Sequence, residues 1–157
     1  DPLYIARRLV RFASEDIGVA DTSALELTIN VFQACQFLGM PECDVHLTEA
    51  VVYLSLAPKS NSVYLARENA KDDVKKTGNE PVPLQIRNAP TKLMKDLDYG
   101  KDYIYAHSTD DKLTSMKTMP PELEGHEYYF PSEQGHEDRF KKRLAFIQKW
   151  HQQHDAE

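Results

Sequence analysis

The stretch that decides the fold is VHLTEAVVYLSLA at 45–57, which Pro58 ends. Drawn as a helix, this stretch carries apolar residues on nearly every side. A helix that is apolar all round either lies in the centre of a core or is partly covered by another chain. The stretch therefore predicts a helix, and Val51, Tyr53 and Leu54 are its candidate contacts with a second chain.

Three further helices are predicted around this stretch. Pro2 suits the first position of a helix, Asp21-Thr22-Ser23 suits the start of a second, and the segment 59–62 suits the start of a third. Each pattern is followed by a glycine that can end it, at Gly18, Gly39 and Gly78. The apolar positions expected to face the core repeat at helical spacing and are Ile5, Leu9, Phe12, Leu25, Ile29, Phe32, Val63, Ala66, Ala70 and Val74.

The second half of the chain has a different character from about residue 79. Most of the nine prolines lie at Pro81 or later, and proline does not fit the interior of a regular helix. Tyrosine and phenylalanine are frequent here, and we expect them to anchor an extended arm by burying their rings. Helical signals return as a short helix at 91–97, a single turn at 120–123 and a longer helix from Gly135.

These patterns predict a mainly α fold in a single domain at 1–157. We expect an antiparallel helical bundle at 1–78, a Pro/Tyr-rich extended arm with a short helix at 79–134 packed over it, and a C-terminal helix at 135–153. The length agrees with one domain, because domains cluster around roughly 100–200 residues. Asp1-Pro2 reads as a helix start with nothing before it, so the chain is expected to begin inside a longer protein.

The composition excludes several classes of protein. Apolar residues make up 41% and charged residues 28%, as in ordinary globular domains. The formal net charge of −6 argues against a domain that coats itself on nucleic acid, because phosphate binding depends on a positive surface. A small basic patch stays compatible with this charge. No apolar run approaches the ~20 residues of a membrane helix, so no membrane partner is expected.

No motif for catalysis or nucleotide binding is recognisable in the chain. The glycines form neither GxxxxGKS/T nor GxGxxG, and the GxSxG and HExxH patterns are absent as well. We therefore expect no catalytic residue, no cofactor and no metal in this chain. Cys35 and Cys43 lack the CxxC spacing and are expected to be buried thiols, with a disulfide between them as the alternative.

Three groups of basic side chains are candidates for contact with DNA or an acidic partner. Two of them each share one helix, Arg7, Arg8 and Arg11 in the first and Lys141, Lys142 and Arg143 in the second. The third surrounds a proline-flanked turn and consists of Arg87, Lys92 and Lys95. Solvated helix faces with i, i+4 ion pairs account for such groups equally well. Both interpretations stay open on these residues alone.

Four strings of the sequence together resemble one known family. They are DPLYIARRLVRFASEDIG at 1–18, LAPKSNSVY at 56–64, RNAPTKLMKDLDYGKDYIYAH at 87–107 and YYFPSEQG at 128–135. The chain resembles the C-terminal domain of the RarA/MgsA replication-associated AAA+ ATPases, which are relatives of clamp-loader ATPases and of the Werner-helicase-interacting ATPase. The residues that match the family's motifs are Lys59, Ser60, Arg87, Asn88, Pro90, Lys92, Lys95, Tyr99 and Gly100. The family tends to carry glycine where this chain has Asp98.

The resemblance implies a role that the motifs alone do not. An ATPase core, with ATP and magnesium, is expected to precede this region in the intact protein and to be absent from this chain. The domain itself is expected to assemble as a homotetramer. The full-length protein is expected to act with DNA and single-strand-binding protein at replication forks, in the nucleoid-associated cytoplasm of a bacterium.

Two functions follow as expectations. The first is oligomerisation and scaffolding of a DNA-dependent AAA+ ATPase in replication-fork maintenance and recombination, and this chain would not itself be an enzyme. The alternative is a module that contacts DNA or a replication partner through Arg87, Lys92 and Lys95, aided by the arginines of the first helix. The low overall charge favours the first.

Overall fold

The computed structural model describes residues 1–154, and all regular structure in this range is helical. The α-helices are α1 (Pro2–Phe12), α2 (Ser23–Leu38), α3 (Asp44–Leu56), α4 (Ser62–Thr77), α5 (Lys92–Asp96) and α6 (Glu137–His154). No strand occurs within 1–154, so the mainly α class predicted from the sequence is confirmed. None of the helices in this range has both the length and the apolar character that crossing a membrane would need.

Local features explain where α1 begins and where α2 begins and ends, whereas α1 ends at Phe12 and a π-helical turn, Ala13–Ile17, continues to the predicted stop at Gly18. A carboxylate oxygen of Asp1 accepts from the Leu3 amide at 2.9 Å, and one of Asp21 accepts from the Ser23 amide at 3.1 Å. At the end of α2, Gly39 has a φ of 69°, a left-handed conformation that glycine adopts without steric cost. The helix boundaries predicted at these three places are confirmed.

Contacts within the chain divide it into two compact units, which are described separately. Unit 1 comprises Asp1–Ala70 and Tyr128–Lys142. Unit 2 comprises Lys71–Glu127 and the described residues from 143 onward. The boundaries fall inside α4 and α6, so each of these helices contributes one part to each unit.

The core of unit 1 lies between α1, α2 and α3, which contact one another pairwise. Its centre is built largely from small side chains, and the buried residues are Ala6, Ala13, Ile17, Ala24, Thr28, Val31, Cys35, Cys43, Leu47, Ala50 and Leu54. Small residues at these positions allow the helix axes to approach closely. The buried residues form two clusters, and the partly buried Leu9 packs against both of them.

The predicted inward faces of three helices are wrong in part. On α1, Ile5 is 46% exposed, and on α2, Leu25 and Ile29 are each 42% exposed. On α4, Val63 and Val74 are exposed, and Ser62 is the buried residue of that helix. The physical reason on α1 and α2 is that alanine and threonine occupy the positions of closest helix contact and displace the larger side chains outward.

Cys35 and Cys43 are buried and free, as the sequence predicted for two structural thiols. Burial raises the pKa of the Cys35 thiol, and a hydrogen bond with Cys43 adds to this effect. A thiol with a raised pKa is a poor nucleophile, because the thiolate is the reactive form. Both cysteines therefore serve as small apolar side chains of the core.

Unit 2 contains the proline-rich segment together with the second half of α6. Thr91 caps α5 by accepting from the Met94 amide at 3.3 Å, which confirms the predicted short helix. The predicted single turn is confirmed at Pro121–Leu123. Tyr103 and Tyr105 are more than half exposed, so the expectation that such rings anchor this segment by burial is wrong for both. The packing of an arm over the bundle stays a prediction.

Candidate interaction surface on unit 1

Helix α3 carries two stripes of apolar residues on opposite sides. The inner stripe lies in the core of unit 1 and contains Leu47, Ala50 and Leu54. The outer stripe repeats at i, i+4, i+7 and i+11 and consists of Val45, Glu49, Val52 and Leu56. Its three apolar members are 61%, 54% and 82% exposed, respectively. The sequence of α3 is apolar on nearly every side because one stripe packs in the core and the other stripe faces outward.

The outer stripe forms the floor of a groove of about 680 Å³. Besides the stripe, the groove is lined by Asp21, Thr48, Tyr53, Ala57 and Pro58. The Tyr53 hydroxyl donates to an Asp21 carboxylate oxygen at 2.7 Å and thereby ties α3 to the segment before α2. This hydrogen bond, together with burial, raises the pKa of Tyr53. The groove is thus preformed within unit 1, with an apolar floor and a fixed wall.

The charges of the groove are negative. Asp21 and Glu49 line it, and the lining residues include no lysine or arginine. Helix α3 has no basic residue except His46. A partner that fits this groove should offer apolar side chains flanked by positive charge, because like charges across a contact are unfavourable.

The three interface candidates named from the sequence have different positions in the structure. Tyr53 is half-buried and forms the wall of the groove, whereas Val51 is 47% exposed and lies outside the groove lining. Leu54 is only 3% exposed and belongs to the core of unit 1, so it is not available for contact with another chain. The three apolar residues of the outer stripe, Val45, Val52 and Leu56, were missed. Plotting the helical repeats of α3 separately shows two apolar stripes, but which of them faces outward required the structure.

The motif residue Lys59 caps the end of α3. Its ammonium group donates to the main-chain oxygen of Leu54 at 2.7 Å and also to that of Ala57. Carbonyl groups at the end of a helix have no partner inside the helix, and a positive charge there also suits the helix dipole. Lys59 therefore stabilises the end of the helix that carries the groove.

A second motif residue, Ser60, belongs to a hydrogen-bonded cluster around a buried carboxylate. We call it the Glu137 cluster, and it consists of Ser60, Ser62, Tyr129, Ser132 and Glu137. Each carboxylate oxygen of Glu137 has two donors: the hydroxyls of Ser62 and Tyr129 on one, and the amide and hydroxyl of Ser132 on the other. Glu137 is fully buried.

Hydrogen bonds decide the ionisation of Glu137. Burial alone would raise its pKa, but the hydroxyl donors stabilise the carboxylate more strongly and lower its pKa to about 2. Burial and the hydrogen bond to this carboxylate raise the pKa of Tyr129 to about 12. Glu137 is also the first residue of α6, where a negative charge suits the helix dipole. The cluster thus contains a buried carboxylate that is ionised at neutral pH and fully hydrogen-bonded.

Gly135 lies beside this cluster, where the chain passes close to Ala20. It has a φ of 52°, and a Cβ atom built there would lie 2.1 Å from the main-chain oxygen of Ala20. The next amide, that of His136, donates to the same oxygen at 2.8 Å. Any side chain at 135 would therefore push this segment away from Ala20. The strings at 56–64 and 128–135 contact each other here, so these two parts of the resemblance build the same local structure.

In unit 2, the motif residue Arg87 is held by its neighbours. Its guanidinium donates to the Val82 main-chain oxygen at 2.6 Å and to the Tyr99 hydroxyl at 3.2 Å, and it lies 5.1 Å from the centre of the Tyr99 ring. Gly100 donates to the Leu84 main-chain oxygen at 2.8 Å. Arg87, Tyr99 and Gly100 thus fold the segment onto itself, and Arg87 is a structural residue of unit 2.

The other candidate contacts for DNA are distributed over the two units. Lys92 and Lys95 are exposed on α5 of unit 2, and the motif residues Asn88 and Pro90 before them are exposed as well. The arginines of α1 belong to unit 1, where Arg11 forms an ion pair at 2.8 Å with Glu15. Arg7 and Arg8 are exposed beside it. On α6, Lys141 pairs with Glu133 at 2.7 Å and Lys142 pairs with Asp138 at 2.5 Å.

Comparison with known proteins places the chain in a family. The sequence model described as "MgsA AAA+ ATPase C terminal" matches residues 1–148. The chain belongs to the MgsA AAA+ ATPase C-terminal family. The resemblance inferred from the four strings is therefore confirmed over almost the whole sequence.

Similar proteins support this membership. The Replication-associated recombination protein A of Coxiella burnetii is 48% identical over 98% of this chain and 35% of its own length. The protein of the same name from Escherichia coli is 40% identical over 94% of this chain and 33% of its own length. The ATPase WRNIP1 of Dictyostelium discoideum is 48% identical over 83% of this chain and 15% of its own length. The chain thus spans about a third of the length of the recombination proteins it matches.

Proposed function

We propose that this chain is the C-terminal oligomerisation and scaffolding domain of a DNA-dependent AAA+ ATPase that acts in replication-fork maintenance and recombination. Family membership supports the ATPase context, and the relatives named for replication-associated recombination support the process. Because this chain corresponds to about a third of those relatives, the ATPase core with its ATP and magnesium would lie in the remaining part of such a protein. This chain would contribute assembly rather than catalysis.

One observation carries the oligomerisation role. The outer stripe of α3 leaves Val45, Val52 and Leu56 more than half exposed along one line of the helix. Contiguous exposed apolar surface on a folded domain marks a site of interaction with another surface. Burying side chains of this size contributes about 1.5–3 kcal/mol each when burial is complete, so covering the stripe supplies a substantial driving force.

The intact assembly would be a homotetramer in the cytoplasm of a bacterium, associated with the nucleoid. The full-length protein would work with DNA and single-strand-binding protein, while the copies of this domain hold the ATPase cores together. Obligate interfaces of this kind commonly bury more than about 2,000 Å², which is larger than the outer stripe alone provides. Other exposed apolar residues of unit 1, among them Leu25 and Ile29, would contribute to it.

The alternative, contact with DNA or a replication partner, has one observation in its favour. Lys92 and Lys95 are exposed, and neither forms an ion pair with any described residue. Binding of this chain to single-stranded or forked DNA, followed by fluorescence anisotropy, should then fall steeply with added salt. Absence of binding at low salt would reject this role for the chain.

Sedimentation equilibrium of the chain tests the proposed function. We expect the apparent mass to rise from low to high micromolar concentration and to approach that of four copies. A chain that remains a monomer at high micromolar concentration would reject the oligomerisation role. An ATPase assay on the same preparation should give only background turnover, and activity that follows the purified chain would contradict a purely scaffolding role.

A further inference from the structure

Charge is distributed unevenly within the first 58 residues. This stretch contains eight acidic residues, and its only lysines and arginines are Arg7, Arg8 and Arg11, all on α1. Helix α1 itself contains no acidic residue. Helix α3 has the opposite character, with Asp44 and Glu49 and no lysine or arginine. Unit 1 therefore includes one strongly basic helix and one acidic, apolar groove.

The outward side of α1 carries an aromatic ring among its arginines. Tyr4, Arg8 and Arg11 follow one another at i, i+4 and i+7, on the side of the helix opposite Ala6, which is fully buried. Tyr4 is 62% exposed, and Arg7 lies beside it without an ion-pair partner among the described residues. Tyrosine and arginine are the residue types that contribute most often to the binding energy of interfaces. We call this side of the helix the α1 face.

Charge complementarity favours one occupant among the three helices of the unit 1 core. If the groove received α3 of a second copy, Glu49 would approach another acidic helix, whose nearby cation, Lys59, already caps the helix end. If it received α2, the approaching helix would bring Glu26 and no cation. The α1 face brings an apolar ring and positive charge together, which is the combination that the acidic, apolar groove requires.

We propose that the groove on α3 receives the α1 face of a second copy of this chain. Tyr4 enters the groove over the outer stripe, and Arg7 and Arg8 face the acidic side chains Asp21 and Glu49. The inference rests on the proposed oligomerisation role and specifies which two surfaces meet. It also assigns the basic group on α1 to self-association rather than to DNA.

The proposed contact joins two different surfaces, so it is a head-to-tail contact. Copies added by such a contact either close into a ring or extend into a filament, depending on the rotation between neighbours. A closed ring of four copies has one filled groove and one occupied α1 face per copy. A homotetramer therefore needs only this one type of contact.

Charge reversal on each side of the contact, followed by mixing, tests the inference. The variants R7E/R8E and E49K each place like charges across the contact, so each should raise the dissociation constant in sedimentation equilibrium by at least about tenfold. In an equimolar mixture, the reversed α1 face of one variant can meet the reversed position 49 of the other, and most of the association should recover. K92E/K95E makes the same change in net charge as R7E/R8E, but on α5, and should leave the dissociation constant unchanged.

The outcomes distinguish failure of this inference from failure of the proposed oligomerisation role. If the unaltered chain is a monomer at every concentration, the proposed function fails and the inference fails with it. If the chain associates but neither variant weakens association, the inference is overturned while the oligomerisation role stands. If both variants weaken association and the mixture does not recover it, the two surfaces do not meet, and the inference is overturned as well. Recovery in the mixture supports it, because misfolded variants could not complement each other.

Discussion

Replacing Glu137 by glutamine removes the buried charge of the Glu137 cluster while keeping the side chain nearly the same size. The pKa of Glu137 is about 2, against an ordinary 4.5, so the folded chain favours the ionised form strongly. At about 1.4 kcal/mol per pH unit, this preference corresponds to about 3 kcal/mol of stability near neutral pH. We therefore expect Glu137→Gln to lower the free energy of unfolding by about this amount.

The pH dependence provides a second signature of the same group. Because the folded pKa lies below the unfolded value, the stabilisation is fully present above about pH 4.5 and is lost as the pH falls toward 2. The difference in stability between the unaltered chain and Glu137→Gln should therefore be largest at neutral pH and should shrink in acid. Urea denaturation measures it, at one protein concentration because association would add to the apparent stability.

A matched control separates this effect from the loss of any carboxylate. Glu133 is exposed and pairs with Lys141 at 2.7 Å, and surface pairs of this kind contribute only about 0–1 kcal/mol. Glu133→Gln should therefore change the free energy of unfolding by much less than Glu137→Gln does. If the unaltered chain and Glu137→Gln are equally stable at pH 7, the Glu137 carboxylate does not stabilise the fold. The same conclusion follows if the difference in stability does not shrink in acid.

Three other predictions concern packing and association. Gly135→Ala should lower the free energy of unfolding by more than about 2 kcal/mol in urea denaturation, because its Cβ would overlap the Ala20 main-chain oxygen; a neutral result would contradict the close approach. Asp98 has a φ of 63°, so Asp98→Gly should raise the melting temperature by relieving about 1 kcal/mol of backbone strain, and a lower one would argue against strain there. Leu56→Asp should weaken association more than tenfold with little change in melting temperature, whereas Leu54→Ala should cost about 2–5 kcal/mol of stability. The opposite pattern would mean that Leu54 faces the partner and that Leu56 lies in the core.

Helix boundaries could be predicted from the sequence because their causes are local. Asp21 bonds an amide two residues away, and Gly39 allows a left-handed turn at its own position. The short helix in the proline-rich segment was predictable for the same reason, since Thr91 caps it three residues away. Such signals involve neighbours in the chain and need no knowledge of the tertiary fold.

Helix faces were harder to predict because they depend on which helices touch. Hydrophobicity favours large side chains as core residues, and it selected Leu25 and Ile29 on α2. The helices of unit 1 approach closely, so Ala24 and Thr28 take the buried positions instead. On α3 the sequence could only show that the helix is apolar on both sides. The exposure of Leu56 and the burial of Leu54 required the structure.

The Glu137 cluster was missed because its partners are distant in sequence. Glu137 stands at the start of a helix, where an acidic residue usually indicates a solvated charge near the helix dipole. Its partner Ser62 is 75 residues away, and no periodic pattern links the two. The available signal was the resemblance itself, since the strings at 56–64 and 128–135 both belong to the family and both proved to line this cluster.

We expect the outer stripe of α3 and the α1 face to be covered when copies of the chain associate. Hydroxyl-radical footprinting, read by mass spectrometry at concentrations below and above the association midpoint, tests this expectation. Leu56 and Tyr4 should lose reactivity together as copies associate. Leu93, which is 67% exposed on α5 of unit 2, should keep its reactivity and serves as the internal control. If Leu56 and Tyr4 keep their reactivity in the associated state, the copies do not associate through the outer stripe and the α1 face.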